Sequence, residues 1–251
     1  MHLDLSGKKI IVTGANSGIG FAISESLLKS GASVALHHNS GKKGIELLLK
    51  KYKNATAFQA DLSETENCIS FFEKIENQFG KIDMLVQNAG IFEEHPTQTS
   101  NEKWLETWQK TIKINLDAVG ILTKLALEHF KKNKEGRIVY IASRAAFRGE
   151  TEENLAYAAS KGGVVSLART VARSFGKYGI TSFILAPGFT KTPMAEEYIL
   201  NHGIESLINE SSIKKLTHPE DISPIVNLIA AGLMDHATGS TIDFNAGSYI
   251  H

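Results

Sequence analysis

The run Ile10-Ile-Val12, followed at once by Thr13-Gly14-Ala-Asn-Ser-Gly18-Ile-Gly20, restricts this chain more than any other feature. A short β-branched run that ends in a glycine turn has the pattern of a parallel strand buried on both faces. A helix-like segment from Phe21 to Lys29 follows and is closed by Gly31. Strand, glycine turn and helix form the first unit of a dinucleotide-binding fold. Its glycines let backbone N–H groups approach a pyrophosphate at the helix N-terminus. The spacing is GxxxGxG rather than GxGxxG, and its place between strand and helix is what gives it weight. Gly14, Asn16, Ser17, Gly18, Ile19 and Gly20 are therefore candidate cofactor contacts.

Further strand-like runs repeat the alternation. Ser33–Leu36 ends in His37-His38-Asn39-Ser40, where an NAD-binding chain often has a carboxylate for the ribose hydroxyls. None stands here. A carboxylate would repel a 2′-phosphate, whereas His38, Asn39 and Ser40 can hydrogen-bond one, with Lys42 and Lys43 nearby; NADP(H) is expected over NAD(H). The strand Ala55–Phe58 runs into Ala60-Asp61-Leu62, so Asp61, with Leu62 beside it, is a candidate for the adenine edge. Alternatively Asp61 or Ser63 caps the helix predicted over Glu64–Phe79. The strand Met84–Val86 delivers Asn88-Ala89-Gly90, small enough for a ribose to lie against the backbone.

A long helical region, Asn101–Lys132, carries Asn115 in its interior, where asparagine competes for backbone bonds. A bend that holds a water is one expectation, a solvated helix face the other. The strand Arg137–Ile141 ends at Ser143, which should project into the cleft beyond the strand ends. The strand Thr181–Leu185 leads to Pro187, Gly188, Phe189, Thr190 and Thr192, candidates for the cofactor's carboxamide or diphosphate. Ala195–Lys215 is helical and polar, as in a lid, and Ile222–Leu233 and Thr241–Phe244 close the chain as helix and strand.

Tyr157 and Lys161 lie one helical turn apart within Leu155–Phe175, a proline-free segment of helix formers. On a helix both side chains share a face, about 6 Å apart along the axis. A nearby ammonium favours the phenolate, and a phenol so tuned can act as a general acid–base. Downstream of Ser143, Arg144 and Arg148 either pair with Glu150, Glu152 and Glu153 or meet an acidic substrate. Trp104 and Trp108 fit core or lid packing.

Basic and acidic residues balance at 27 each, which argues against a nucleic-acid partner. No apolar run is long enough for a membrane span. The single cysteine, Cys68, has no metal-ligand neighbours and reads as a buried apolar group, and no metal is expected. With no signal-peptide pattern at the N-terminus, a cytoplasmic location is expected. No linker, repeat or low-complexity stretch interrupts 1–251, so one domain is expected.

Together the glycine turn Thr13–Gly20, Asp61, Asn88-Ala89-Gly90, Asn115, Ser143, Tyr157-Ala-Ala-Ser-Lys161 and Pro187-Gly188 resemble the short-chain dehydrogenase/reductase family over essentially the whole chain. Within it the chain looks most like the 3-oxoacyl-(acyl-carrier-protein) reductase group, whose terminal strand is similar to Ala237–Gly247. The resemblance implies a single-domain α/β fold, a doubly wound Rossmann-type parallel sheet of about seven strands with helices on both faces. It also implies a nicotinamide cofactor, a carbonyl, secondary-alcohol or acyl-thioester substrate, and a homotetramer or homodimer. Catalytic roles would fall to Asn115, Ser143, Tyr157 and Lys161, the last two also touching cofactor. The chain departs from the group's pattern at Gln87, at Asn245-Ala246 and in the charged stretch Ser143–Glu153. A sugar or polyol dehydrogenase and a non-catalytic dinucleotide sensor stay as rival readings.

Overall fold

A computed structural model describes residues 3–250, with the side chains at positions 197, 198, 201, 202 and 206 outside the description. The β-branched runs form β1 (Lys9–Val12), β2 (Ser33–His38), β3 (Ala55–Gln59), β4 (Met84–Gln87), β5 (Gly136–Ile141), β6 (Ile180–Pro187) and β7 (Thr241–Phe244). They make one seven-stranded sheet in the order β3-β2-β1-β4-β5-β6-β7. Every neighbouring pair is parallel, from Lys9 opposite Ser33 to Pro187 opposite Phe244. Parallel neighbours need crossovers, and helices supply most of them. In chain order the helices are α1 (Gly18–Lys29), α2 (Lys43–Lys51), α3 (Thr65–Phe79), α4 (Asn101–Ile112), α5 (Ala118–Asn133), α6 (Ala145–Arg148), α7 (Leu155–Phe175), α8 (Pro193–His202), α9 (Ile204–Glu210) and α10 (Pro219–Ala230).

Side chains alternate along each strand, so the sheet builds a core on both faces. Ile11, Leu85, Ile138 and Tyr140 pack with Phe71 and Phe72 of α3, Phe130 of α5 and Val164 of α7. Ile10, Val12, Val86 and Val139 pack with Ile23 and Leu27 of α1, Leu48 of α2 and Val226 of α10. Cys68 sits in the first of these cores, where burial pushes its thiol up to about 11. Gln87, at a departure from the family pattern, turns away from the cleft. It donates to Val119 O (3.0 Å) and Thr123 Oγ1 (3.3 Å), tying β4 to α5.

Most differences from the sequence expectation lie at element ends. β2 continues through His38, so both histidines belong to the strand rather than to the loop after it. α1 begins at Gly18, inside the glycine turn. The long helix is divided by a π-helical turn, Lys113–Asp117, centred on Asn115. Such turns are rare and recur at functional sites. The segment expected as a lid is two helices, α8 and α9, and the short α6 has no periodic signal in the sequence. The strand order reverses between β1 and β4, which opens a crevice at the carboxyl ends of the strands.

Candidate active site

The glycine turn is held by neighbours rather than by itself. Gly14 adopts a left-handed φ of 66°, which favours glycine. Its N–H donates to His37 Nδ1 at 2.9 Å, and His37 Nε2 lies 3.1 Å from Ala60 O. A backbone N–H can only donate, so Nδ1 accepts, Nε2 carries the hydrogen, and the ring is neutral. Burial drives the His37 pKa down to about 4. The unfolded chain binds this proton near pH 6.5 and the folded chain only near 4. Stability from this group is therefore full above pH 6.5 and is lost as pH falls toward 4, on the order of 3 kcal/mol. Urea unfolding across that range should record the loss, and His37→Phe should flatten it.

Two further residues lock the turn. Asn88 Nδ2 donates to Thr13 O (2.9 Å) and Gly14 O (3.1 Å), while Thr13 Oγ1 accepts from the N–H groups of Asn88 and Ala89. Asn16 Oδ1 accepts from Gly44 N (3.0 Å) and Ile45 N (3.3 Å), capping α2 from outside that helix. A Cβ at Gly20 would lie 2.2 Å from Gly14 O, so packing within the turn itself demands glycine there.

A cleft of about 300 Å³ runs across the carboxyl ends of the strands. At the β2–β1 side it is lined by Gly14, Asn16, Ser17, Gly18, Ile19, His38 and Asn39. Asn88, Ala89 and Gly90 line it after β4, and Pro187, Gly188, Phe189, Thr190 and Thr192 after β6. Ser143, Tyr157 and Lys161 complete the wall, joined by Phe92, Arg144, Glu150 and Met194. Five predicted residues stand outside this lining. Gly20 is buried beneath the turn, and Ser40 is exposed. Asp61 is exposed and accepts from Ser63 N at 2.9 Å, a local turn. The Leu62 side chain packs in the core.

Asn115 is the fifth, fully buried behind the wall. Its Oδ1 accepts from Ile91 N (2.8 Å), and its Nδ2 donates to Ile91 O (2.9 Å) and Ser160 Oγ (3.3 Å). Ser160 Oγ in turn donates to Tyr157 O at 2.7 Å. The π-helical turn thus pins both the loop after β4 and the backbone at Tyr157.

Tyr157 and Lys161 share one face of α7, with Nζ 5.7 Å from the centroid of the phenol ring. Nζ donates to Ile141 O at 2.9 Å, and burial pulls the ammonium pKa down to about 8. The phenol moves opposite to the sequence expectation. Burial pushes it up to about 12; Ser143 pulls it down, and the Glu150 carboxylate pushes it further up. Burial is the largest of these influences, and the ammonium lies over the ring with its bond directed at the Ile141 carbonyl. The Phe92 ring meets the Tyr157 ring edge-on at 4.8 Å.

Arg144, 3% exposed, donates to Glu210 Oε2 at 2.8 Å and lies over the Phe189 ring at 5.2 Å. Arg148 reaches Glu150 at 3.5 Å and Glu210 at 4.0 Å. The two arginines therefore tie the end of α9 to the segment that follows β5. Sequence reasoning missed Glu210, which is 66 residues from Arg144 and carries no local signal. Among the described residues no cluster of His, Cys, Asp or Glu fits a metal ion, and no helix is long and apolar enough to cross a membrane.

Comparison with known proteins adds an independent line. A family model described as short chain dehydrogenase matches residues 8–202. The 3-oxoacyl-(acyl-carrier-protein) reductase FabG of Escherichia coli K12 is 30% identical over 250 residues, spanning 99% of this chain and 100% of that protein. Its counterpart in Aquifex aeolicus is 29% identical over 258 residues, with 99% and 100% covered. Among solved structures, a provisionally assigned gluconate dehydrogenase from Agrobacterium tumefaciens superposes with a TM-score of 0.90. It is 24% identical and covers 99% of this chain and 98% of that one, a likeness of fold.

Proposed function

This chain belongs to the short-chain dehydrogenase family and is an NAD(P)-dependent oxidoreductase acting on CH–OH groups, and we propose that it works as an NADP(H)-dependent reductase of carbonyl compounds, 3-oxoacyl thioesters among them. The observation that carries this reading is the convergence of Ser143, Tyr157 and Lys161 on the same cleft as the glycine turn. The activity for which these relatives are named, reduction of 3-oxoacyl groups on acyl-carrier protein, supports the substrate class.

The residues present fit a nicotinamide dinucleotide. Gly14 and Gly18 line the cleft along the turn, and Lys161, on its wall, would donate to ribose hydroxyls. His38 lines the β2 side, and its buried Nδ1 has no hydrogen-bond partner. A 2′-phosphate at this end would meet no carboxylate, since His38, Asn39 and Ser40 stand where one often does. The kcat/KM for NADPH should exceed that for NADH by about tenfold, the worth of one hydrogen bond to a charged group. A ratio at or below unity overturns the preference.

When bound, the nicotinamide supplies or accepts the hydride. Tyr157 holds the proton. With its pKa near 12 the phenol stays protonated at neutral pH and suits donation to an alkoxide, a far stronger base than a phenolate. The side chain thus carries at neutral pH the proton that reduction consumes. Ser143 orients the carbonyl oxygen, and Asn115 keeps the wall behind them in register. Glu150 supports a second reading, oxidation of a polyol, because its carboxylate lines the cleft near Tyr157 and would accept hydrogen bonds from hydroxyls. Following the reduced cofactor's absorbance over 3-oxoacyl thioesters, ketones and polyols separates the two. Turnover of polyols alone would favour the second. Our reading extends to one domain over 1–251, a cytoplasmic setting and a homotetramer or homodimer.

A further inference from the structure

The loop between β4 and α4 touches the catalytic wall at three points, and the third has no place in the chemistry above. Ile91 is gripped by Asn115, and Phe92 meets the Tyr157 ring. His95 reaches the start of α7. Its backbone N–H donates to Glu153 O at 2.8 Å, and its Nε2 accepts from Ala156 N at 3.1 Å. Ala156 immediately precedes Tyr157, and its N–H lies in the first turn of α7, where no intrahelical partner exists. A side chain at the N-cap usually satisfies such a group. Here the N-cap, Asn154, makes no capping bond, and its Nδ2 donates to Thr151 Oγ1 instead.

We propose that His95 is a positioning residue for Tyr157: a cap supplied from 61 residues away that fixes the first turn of α7 and hence the direction of the phenol. The ring is held for this task. It is 2% exposed and packs against the stacked indoles of Trp104 and Trp108, at 5.4 and 6.4 Å. Because Ala156 N–H donates to Nε2, the hydrogen sits on Nδ1, which faces Glu93 O at 3.3 Å. One tautomer satisfies both ends. Trp104 and Trp108 thereby gain a purpose beyond filling space: they keep the imidazole from swinging off the helix end.

The inference rests on Tyr157 as proton donor, so its test needs a readout that does not pass through turnover. His95→Leu removes the acceptor at similar bulk, and His95→Gln returns an oxygen near the position of Nε2. Small misalignments of a reacting group are expensive, so H95L should lower kcat about tenfold while the Kd for NADPH moves less than about twofold. Amide exchange at Ala156 should quicken in H95L and return toward the native rate in H95Q, together with kcat. Native kcat and native Ala156 protection in H95L overturn the proposal. So does a parallel loss of kcat and cofactor affinity in both variants, the mark of general unfolding. A native protein with no turnover on any substrate, yet with the exchange contrast intact, would sink the reductase reading and support the cap.

Discussion

Tyr157→Phe should lose a factor of about 10² to 10⁴ in kcat, the usual worth of a general acid, while binding the reduced cofactor almost unchanged. The substitution deletes a single oxygen. The ring keeps its edge-on contact with Phe92, and Lys161 keeps its bond to Ile141 O. Neither the glycine turn nor the β2 side of the cleft touches that oxygen, so cofactor affinity has no reason to move. The phenol's high pKa sharpens the expectation for the native enzyme. Reduction should hold steady from neutral pH toward the region of pH 12 as far as this group is concerned, while oxidation, which needs the phenolate, should climb with pH. A variant with near-native kcat would remove Tyr157 from the mechanism.

Lys161→Met should change how stability depends on pH. Burial lowers the ammonium's pKa from 10.5 to about 8, so between those values the unfolded chain binds a proton that the folded chain lacks. Unfolding free energy rises with pH wherever the unfolded state binds more protons. The cofactor-free protein should therefore gain on the order of 3 kcal/mol from this group between pH 8 and 10. Above pH 10 Tyr157 opposes it, because the folded chain keeps a proton to about 12 that the unfolded chain loses near 10. Cys68 contributes an opposing slope of its own, equal in both proteins, so it cancels in the comparison. Denaturant unfolding of native and K161M protein across pH 8 to 10 should give curves that diverge by that amount. Parallel curves would mean that the ammonium is better solvated than its burial implies. K161M should also weaken cofactor binding by about tenfold, through loss of a charged donor.

The parts of this molecule that were legible in advance are those written locally. Ile10-Ile-Val12 before a glycine turn announces a buried strand and the helix after it, and the Tyr157/Lys161 spacing announces a shared face. Asn115 sits badly in a helix, and the structure answers with a π-helical turn at that residue. What stayed hidden depends on partners far along the chain. His37 looks like a loop residue until Ala60 and Gly14 are brought against it. Glu210 and His95 have no local signature at all. The upward direction of the Tyr157 shift is hidden for the same reason. Spacing predicts the neighbouring ammonium, but only the folded wall determines how thoroughly the phenol is stripped of water, and burial is the largest influence on it.

A proton held by Tyr157 and a hydride should meet at one carbonyl in this cleft. NADPH carrying deuterium at both positions of its hydride-donating carbon, offered with a panel of ketones and 3-oxoacyl thioesters, shows whether they do. Deuterium should appear on the carbinol carbon of the product, at a rate that falls sharply in Tyr157→Phe. Tight binding of NADPH with no label transferred to any acceptor would contradict it and leave a protein that senses the dinucleotide without using it.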